Sequence, residues 1–211
     1  MDKKEKPTKG EETQQRILEA AAELFIENGY AATTTRQITD ELGMTRGILY
    51  NYYASKEEIF EAVIKEMHPW LQIIPVVEIA EGNNVDEFVE NSANLLVQRW
   101  DEHPGYTRLH FIELVEFKGQ HLSEIFQTVF SQMVEILKEK VKQNSGLTGV
   151  PVAALSRSLL GLFFGYLMSD RFSGINIDGS LQQGSFDYFA DIYLKGVISE
   201  VNATMKDKTI K

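Results

Sequence analysis

The hydrophobic residues of this chain recur mainly at intervals of three and four, which is the spacing of amphipathic helices. The sequence contains no alternating strand pattern and no internal repeat. The periodicity predicts helices over residues 12–28, 55–68, 85–101, 104–117, 121–143, 151–172 and 185–204, with two shorter ones within 34–53. Gly29, Pro69 and Gly119 follow predicted helix ends, where glycine and proline are common. The pattern therefore predicts an all-α fold of about nine helices.

The stretch over residues 34–53 contains two short predicted helices separated by Gly43. Ile38 and Leu42 lie four residues apart and give the first helix a single apolar face. Gly43 can adopt the left-handed conformation that ends a helix, and the Thr45 hydroxyl is expected to accept a bond from a backbone N–H of the second helix. This pattern predicts a DNA-reading helix-turn-helix, although an ordinary helical hairpin with a glycine turn would look the same.

The second short helix has an apolar side and a side suited to DNA. Leu49, Tyr52 and Tyr53 share one side at helical spacing and are expected to pack inward. The other side carries Arg46, Gly47, Tyr50 and Asn51. Arginine donates to phosphate or guanine, asparagine pairs with adenine, and tyrosine offers a ring and a hydroxyl. Glycine has no side chain, so the backbone can approach a phosphate closely.

A set of motifs surrounds this stretch: Ile17 to Phe25, Asn28-Gly29-Tyr30, Thr33-Thr34-Thr35, Ile38, Leu42-Gly43-Met44, Gly47 to Tyr50, Tyr53 and Ser55-Lys56-Glu57-Glu58. As a set they resemble the amino-terminal domain of the TetR family of one-component bacterial transcription regulators, which are usually repressors. The resemblance implies that seven positions touch DNA, namely Thr35, Thr45, Arg46, Gly47, Tyr50, Tyr52 and Lys56.

Three positions depart from the family pattern. Thr39 stands where the family prefers alanine, and Leu42 is bulkier than the alanine often found there. Tyr52-Tyr53 replaces the usual His-Phe pair, so a phosphate contact normally made by histidine would pass to a tyrosine hydroxyl.

The charge of the chain is unusual for a DNA-binding protein, with 21 basic against 31 acidic residues among 211. Neither the first 53 residues nor the remainder is basic overall, so DNA binding requires locally placed groups such as Arg36, Arg46 and Lys56. Cysteine is absent, which excludes disulfides and thiolate metal sites. No apolar stretch has the length of a membrane span, and we expect a cytoplasmic protein without a membrane segment.

The sequence divides into a tail and two predicted domains. Residues 1–10 are expected to form a disordered tail, with a DNA-touching arm as the alternative. Residues 11–54 form the helix-turn-helix domain, and residues 55–211 form a larger helical domain for ligand binding and dimerisation. Ser55 and Glu58 are a capping box for the helix that connects the two domains, and Asn84 with Glu87 is a second candidate.

The last two predicted helices are unusually apolar, which indicates either a buried core or a two-fold dimer. The expected dimer residues are Leu155, Leu159, Gly161, Leu162, Gly165, Phe189, Tyr193 and Val197. A dimer is favoured because one short helix reads only a few base pairs, whereas two copies read the half-sites of a palindromic operator on double-stranded DNA. The TetR resemblance implies the same homodimer.

The middle helices are rich in large side chains, which form either a simple core or the inducer pocket that the TetR resemblance implies. The candidate ligand residues are Trp70, Trp100, Tyr106, His110, Phe111, Glu113, Phe117, Phe130, Met133, Phe163 and Tyr166. Such a pocket would bind an unidentified, largely apolar inducer, with Glu116 as a further polar group. When the ligand binds, the middle helices are expected to tilt the helix after Ser55. That tilt would change the spacing of the two DNA-binding heads of the dimer.

Catalytic chemistry has little support in the sequence. His110 with Glu113, and His121 with Glu124, have the spacing of possible metal ligands, but no nucleophile motif, phosphate loop or zinc motif is present. We expect no enzyme activity, no metal and no cofactor. The sequence therefore predicts a dimeric, ligand-responsive repressor, with a helical small-molecule-binding protein lacking sequence-specific DNA recognition as the alternative.

Overall fold

The computed structural model describes residues 7–83, 85–143 and 151–172 of the chain. These residues contain nine α-helices and one 3-10 helix, and no strand lies among them. The elements are α1 (Lys9–Asn28), α2 (Thr35–Glu41), α3 (Arg46–Tyr50), α4 (Lys56–Met67), the 3-10 helix Pro69–Gln72, α5 (Ile73–Ile79), α6 (Val85–Glu102), α7 (Tyr106–Glu116), α8 (Leu122–Gln143) and α9 (Val152–Phe172). The predicted all-α fold is confirmed.

Some predictions fall outside the described residues. These are the helix over 185–204 with Phe189, Tyr193 and Val197, residues 1–6 of the predicted tail, and the capping role of Asn84. Glu87, the proposed partner of Asn84, accepts a bond from the Asn83 backbone N–H at 2.9 Å.

The start of α1 and the presence of α5 differ from the prediction, and local chemistry explains both. α1 begins at Lys9 because Thr8 and Glu11 form a capping box, in which each side chain bonds to the other residue's backbone N–H. The predicted tail is therefore too long at its carboxyl end. The pattern also missed α5, whose Pro75 lies in the first turn, where a missing N–H interrupts no intrahelical bond.

The helix-turn-helix is present, with one predicted cap missing. Gly43 ends α2 with a φ of 60°, the left-handed conformation predicted for it. Thr34 and Gln37 form a capping box that starts α2. Thr45 occupies the N-cap position of α3, but its side chain makes no capping hydrogen bond, so that prediction is wrong. The α3 helix therefore begins without side-chain capping and ends at Tyr50, before Asn51.

One compact unit of the chain combines residues up to Gln72 with residues 100–127. It contains α1 to α4, the 3-10 helix, α7 and the start of α8. The helices α1 and α4 pack against each other and both contact α7. Phe25 of α1 and Phe60 of α4 meet edge to face at 5.4 Å between ring centres, and both are fully buried. The two helices of the helix-turn-helix, α2 and α3, are called the reading helices below. They thus share a unit with part of the predicted regulatory region.

The second unit comprises residues 73–99 and the residues from 128 onward, described as far as 172. The Lys140 ammonium donates to the Ala80 carbonyl at 2.6 Å and lies 5.4 Å from the centre of the Phe88 ring. The Arg157 guanidinium lies 5.9 Å from the centre of the Phe130 ring. These contacts join α8 to the residue after α5, to α6 and to α9 within this unit.

The described candidate dimer residues of α9 divide into two groups. Leu155, Leu159 and Leu162 are buried within a single chain, so they belong to its core and are not accessible to a partner. Gly161 is exposed and Gly165 is half-buried. The surface of α9 around these two glycines therefore remains the described candidate for contact with a second copy.

Replacing Gly43 with alanine is expected to lower the free energy of unfolding by about 1 kcal/mol, because a side chain is strained at this positive φ. No heavy atom lies within 4 Å of the added methyl group, so the cost comes from the backbone alone. Gly47→Ala is the matched control. It adds a methyl in an α-helix with only an ordinary contact to Thr45, and it should leave stability equal or higher. Urea denaturation of both variants measures the difference, and equal effects would contradict the account.

Candidate functional site

The reading surface is the solvent-facing side of α2, α3 and the turn that follows them. It consists of the predicted residues Thr35, Arg36, Thr45, Arg46, Gly47, Tyr50 and Asn51, together with Ile48, and with half-buried Tyr52 at its margin. Fully buried Leu49 holds α3 from the opposite side, as predicted, and Tyr53 is also buried. The structure therefore leaves most of these residues exposed on two neighbouring short helices and the turn after them, with Thr35 half-buried as well.

Asn51 and Tyr52 lie beyond the end of α3, although the sequence suggested a continuous helix through Tyr53. Asn51 keeps a helical conformation, and its N–H bonds to the Ile48 carbonyl at 3.2 Å. The Tyr52 and Tyr53 N–H groups bond to the Leu49 carbonyl at 3.0 and 3.1 Å. The turn therefore continues the direction of α3 for about one more turn and holds Asn51 beside Tyr50.

Ile48 is a member of the reading surface that the sequence interpretation did not select. Its side chain is 42% exposed, close to the 50% exposure of Tyr50. An exposed isoleucine offers methyl groups for apolar contact with a thymine methyl. The sequence did not single it out, because at helical spacing Ile48 lies close to Tyr52, on the side that was expected to pack inward.

The positive charge of the reading surface is sparse. Arg46 is exposed, and Arg36 Nε lies 3.5 Å from Asp40 Oδ2 one turn further along α2. Both members of that pair are well exposed, so water screens it and it holds Arg36 only weakly. Either guanidinium has the donors needed for a bidentate bond to phosphate or guanine.

The Lys56 side chain points into the protein surface rather than away from it. Its ammonium donates to the carbonyls of Tyr30 and Thr33, each at 2.7 Å, and lies 4.1 Å from the centre of the Tyr30 ring. Burial lowers the pKa of Lys56, while the Glu116 carboxylate partly opposes that shift. Of the residues predicted to touch DNA, Lys56 is thus the one already held by the loop before α2.

One departure from the TetR pattern, Thr39, is accommodated by the observed packing. Thr39 is buried, and its hydroxyl donates to the Arg36 carbonyl at 2.9 Å, so the additional polar group is satisfied inside α2. Leu42 is half-buried at the end of α2.

The candidate ligand residues are divided between the two units of the structure. Trp70, Trp100, Tyr106, His110, Phe111, Glu113 and Phe117 belong to the first unit, and Phe130, Met133, Phe163 and Tyr166 belong to the second. Phe117 stacks on Phe60 at 4.3 Å between ring centres and meets the Tyr30 ring at 4.6 Å. The Phe117 ring therefore packs on α4 and on the loop before α2. Glu116 likewise bonds to the loop before α2.

Three histidines and one glutamate are buried in the first unit, and we call them the histidine cluster: His68, His110, Glu113 and His121. His68 Nε2 lies 3.0 Å from His110 Nδ1. The Glu113 carboxylate accepts bonds from the His121 N–H and from His121 Nδ1, each at 2.8 Å. The sequence had paired His110 with Glu113 and His121 with Glu124, whereas the structure pairs His121 with Glu113 across the turn between α7 and α8.

The hydrogen bonds around His68 determine which ring nitrogen carries the proton. The Trp70 backbone N–H donates to His68 Nδ1 at 3.3 Å, so the proton of a neutral His68 lies on Nε2. His68 Nε2 must then donate to His110 Nδ1. A second proton on His68 would place two donors face to face, so this arrangement requires a neutral His68. The Trp70 ring also stacks on His110, with ring centres 5.7 Å apart.

Burial lowers the pKa of His68 to about 3, and the adjacent His110 contributes to the shift. Burial also lowers the pKa of His110, although Glu113 opposes that change. Among the described residues, no group of three or more histidine, aspartate or glutamate side chains is arranged to hold a metal ion. The chemistry of the cluster is therefore hydrogen bonding between neutral imidazoles beside a paired carboxylate.

Known proteins resemble the chain most clearly around the reading helices. Residues 17–63 match the family model of bacterial regulatory proteins, tetR family. Over 190 residues, the chain is 21% identical to an uncharacterised HTH-type transcriptional regulator, YvkB of Bacillus subtilis, covering 89% of this chain and 98% of that protein. Over 55 residues, it is 44% identical to the HTH-type transcriptional repressor KstR2 of Mycobacterium tuberculosis, covering 26% of this chain and 28% of the repressor.

The fold is also shared with solved structures. A bacterial regulatory protein in the tetR family from Rhodococcus RHA1 superposes with a TM-score of 0.62 at 19% identity, covering 90% of this chain and 97% of that one.

The helix-turn-helix, the helical remainder and these relatives define a DNA-binding transcription regulator. The match over residues 17–63 and the regulator relatives support a TetR-family transcription regulator. Its relatives are transcription regulators and not enzymes, as the sequence led us to expect. In the part of the chain that the structure describes, no helix combines the length and apolar character needed to cross a membrane.

The lowered pKa of buried His68 predicts that the stability of the protein depends on pH. Between the ordinary histidine pKa of 6.5 and the lowered value of about 3, an unfolded chain binds a proton at His68 that the folded protein does not. The free energy of unfolding should therefore fall as the pH drops below 6.5, by up to about 1.4 kcal/mol per pH unit for this group. His68→Asn keeps an acceptor for the Trp70 N–H but cannot titrate, so its pH dependence should be shallower. Urea denaturation at several pH values tests this, and parallel curves for both proteins would contradict it.

Proposed function

We propose that this chain is a dimeric, ligand-responsive repressor that binds a palindromic operator through the reading surface and releases it when a small molecule binds. The observation that carries the proposal is the exposed face of α3, where Arg46, Gly47 and Tyr50 project beside Asn51 while Leu49 is fully buried. A buried anchor and an exposed polar face are what a helix needs to enter the major groove without unfolding.

Each member of this face has a distinct proposed role. Arg46 is expected to bond to a phosphate or to a guanine edge, and Asn51 to pair with adenine. Tyr50 and Ile48 supply apolar contact with thymine methyl groups or sugars. Thr35 and Thr45, at the starts of α2 and α3, are placed to bond to phosphates that flank the base contacts.

A dimer and a palindromic site follow from the size of α3. A five-residue helix covers only a few base pairs, too few for a specific site, and a two-fold pair of such helices doubles the sequence that is read. TetR-family regulators bind DNA as dimers, which supports this step. The similarity to the KstR2 repressor within the DNA-binding segment supports repression as the mode of regulation.

Ligand response is proposed from the course of α7. This helix carries His110 and Glu113 of the histidine cluster near its middle, and its end bonds through Glu116 to the loop before α2. A small molecule bound beside Trp70 and His110 would contact the helix that also holds the reading helices. It would weaken DNA binding only if it favours a different position of α7 from the one that the operator selects. The proposed ligand is largely apolar, with one polar group for the cluster.

The DNA-binding proposal is tested by selecting bound duplexes from a random-sequence library with the wild-type protein. A palindromic consensus is expected. The triple variant Arg46→Ala, Tyr50→Ala, Asn51→Ala should keep its helical circular dichroism and lose the selected duplex by at least about 100-fold, since each lost base contact weakens binding by about 1–3 kcal/mol. Undiminished binding by the folded triple variant would contradict the proposal. A folded wild-type protein that selects no sequence would favour the helical binding protein without DNA recognition.

The ligand proposal is tested by a thermal-shift screen with apolar, aromatic and cationic compounds. A true effector should raise the melting temperature and weaken binding of the selected duplex, because the two ligands are linked through one equilibrium. His110→Phe keeps an aromatic ring but removes the polar group, and it should abolish both effects. A compound that stabilises wild type and variant equally, or that leaves DNA binding unchanged, would contradict the proposed site.

A further inference from the structure

The loop over residues 29–33 is the only covalent path from α1 into the reading helices, so its position sets where α2 begins. Gly29 ends α1 with a φ of 80°, and Thr34 caps α2 at the other end of the loop. Thr33 is buried, and its hydroxyl donates to the carbonyls of Leu24 and Gly29 at 3.0 and 2.8 Å. The loop is therefore an ordered segment attached at both ends to helices.

The loop is held on one side by α7. Glu116, the last residue of that helix, accepts bonds through both carboxylate oxygens, from the Tyr30 N–H at 3.1 Å and the Ala31 N–H at 2.9 Å. Beside it, the Arg108 guanidinium donates to the Ile26 carbonyl at 3.2 Å. Two successive amides bound by one carboxylate fix the orientation of that peptide as well as its distance from α7.

The other side of the loop is held by α4. Lys56, in the first turn of that helix, donates to the carbonyls of Tyr30 and Thr33, and its ammonium also faces the Tyr30 ring. An ammonium has three donors, and here two are used on the loop. The Tyr30 ring itself packs against Phe60 at 5.2 Å and Phe117 at 4.6 Å between ring centres, so it touches both supporting helices.

We infer that Lys56 and Glu116 are positioning residues for DNA recognition, which hold the loop from opposite sides and so set the placement of α2 and α3. Neither residue has to touch DNA to do this. The inference rests on the proposed role of the reading surface, and it departs from the family resemblance, which implies that Lys56 binds DNA. A lysine that bonds to two carbonyls of its own chain would have to give up those bonds in order to reach a phosphate.

Salt dependence separates a positioning lysine from a phosphate-binding one. Each phosphate contact that is lost lowers the slope of log affinity against log salt by about 0.9, whereas a misplaced reading surface lowers affinity without removing a specific charge contact. For Glu116, the electrostatic effect and the positioning effect on DNA affinity have opposite signs. Removing a negative group near DNA should tighten binding by simple electrostatics, so weaker binding would point to positioning.

The experiment measures affinity for the wild-type-selected duplex at several salt concentrations, using Lys56→Met, Lys56→Gln, Glu116→Gln and the control Glu27→Gln. Glu27 is exposed near the end of α1, so it reports the charge effect alone.

We expect Lys56→Met and Glu116→Gln each to weaken binding by about tenfold, the size of one lost charged hydrogen bond, with the salt slope unchanged. Lys56→Gln, which can donate to both carbonyls without a charge, should recover part of the loss. The double variant should bind about as weakly as either single one, because the loop is already released.

Several results would overturn the inference. One is a salt slope reduced by about 1 in both Lys56→Met and Lys56→Gln, which indicates a phosphate contact. The others are tighter binding by Glu116→Gln that matches Glu27→Gln, and unchanged affinity in all variants. Circular dichroism of each variant establishes that it is folded, and if Lys56→Met does not fold, Lys56→Gln and Glu116→Gln carry the test. A wild-type protein that binds no duplex defeats the proposed function instead, so the two failures are distinguishable.

Discussion

The placement of the reading helices depends on the stacking of Phe117, the residue directly after α7, on Phe60 of α4, with Tyr30 packed against both rings. α3 has only five residues and one buried side chain, so it cannot hold its own position. Burial of the aromatic rings supplies an attraction that does not depend on orientation. The hydrogen bonds of Glu116 and Lys56 to the Tyr30 backbone fix the orientation of the loop that leads into α2. A weakly self-stabilised reading element is thus oriented by helices outside the helix-turn-helix.

The helices themselves followed from the sequence wherever their pattern was long and regular. α4, α6, α8 and α9 lie within a residue or two of their predicted bounds, because each has an apolar stripe and a recognisable glycine, proline or cap at one end. α5 was missed because seven residues containing a proline give no periodic signal. The burial pattern of α3 was also predictable, since this helix divides simply into Leu49 and the exposed remainder. The bonds of Lys56 could not be predicted from the sequence. A flexible side chain can reach many backbone carbonyls, and the ones that Lys56 reaches belong to a loop 23 residues earlier.

The histidine cluster shows the same limit of sequence reasoning. Spacing along one helix suggested that His110 and Glu113 act together, and the side chains instead bond to residues of other segments, His68 and His121. Burying four polar groups is costly unless each one is hydrogen-bonded, and the network links the end of α4, α7 and the start of α8 through such bonds. His110 and Glu113 of this cluster lie on α7, which ends at Glu116. The same helix therefore makes the buried polar bonds and the bonds to the loop before α2.

The central claim, that α2 and α3 are the DNA-binding surface of this protein, is tested most directly by amide hydrogen exchange with and without the selected duplex. Binding should slow exchange in the segment from Thr45 to Tyr52 and leave the exposed amides at the start of α1 unchanged. Protection confined to α7 or α8, or no protection in the segment from Thr45 to Tyr52 at saturating duplex, would contradict the account.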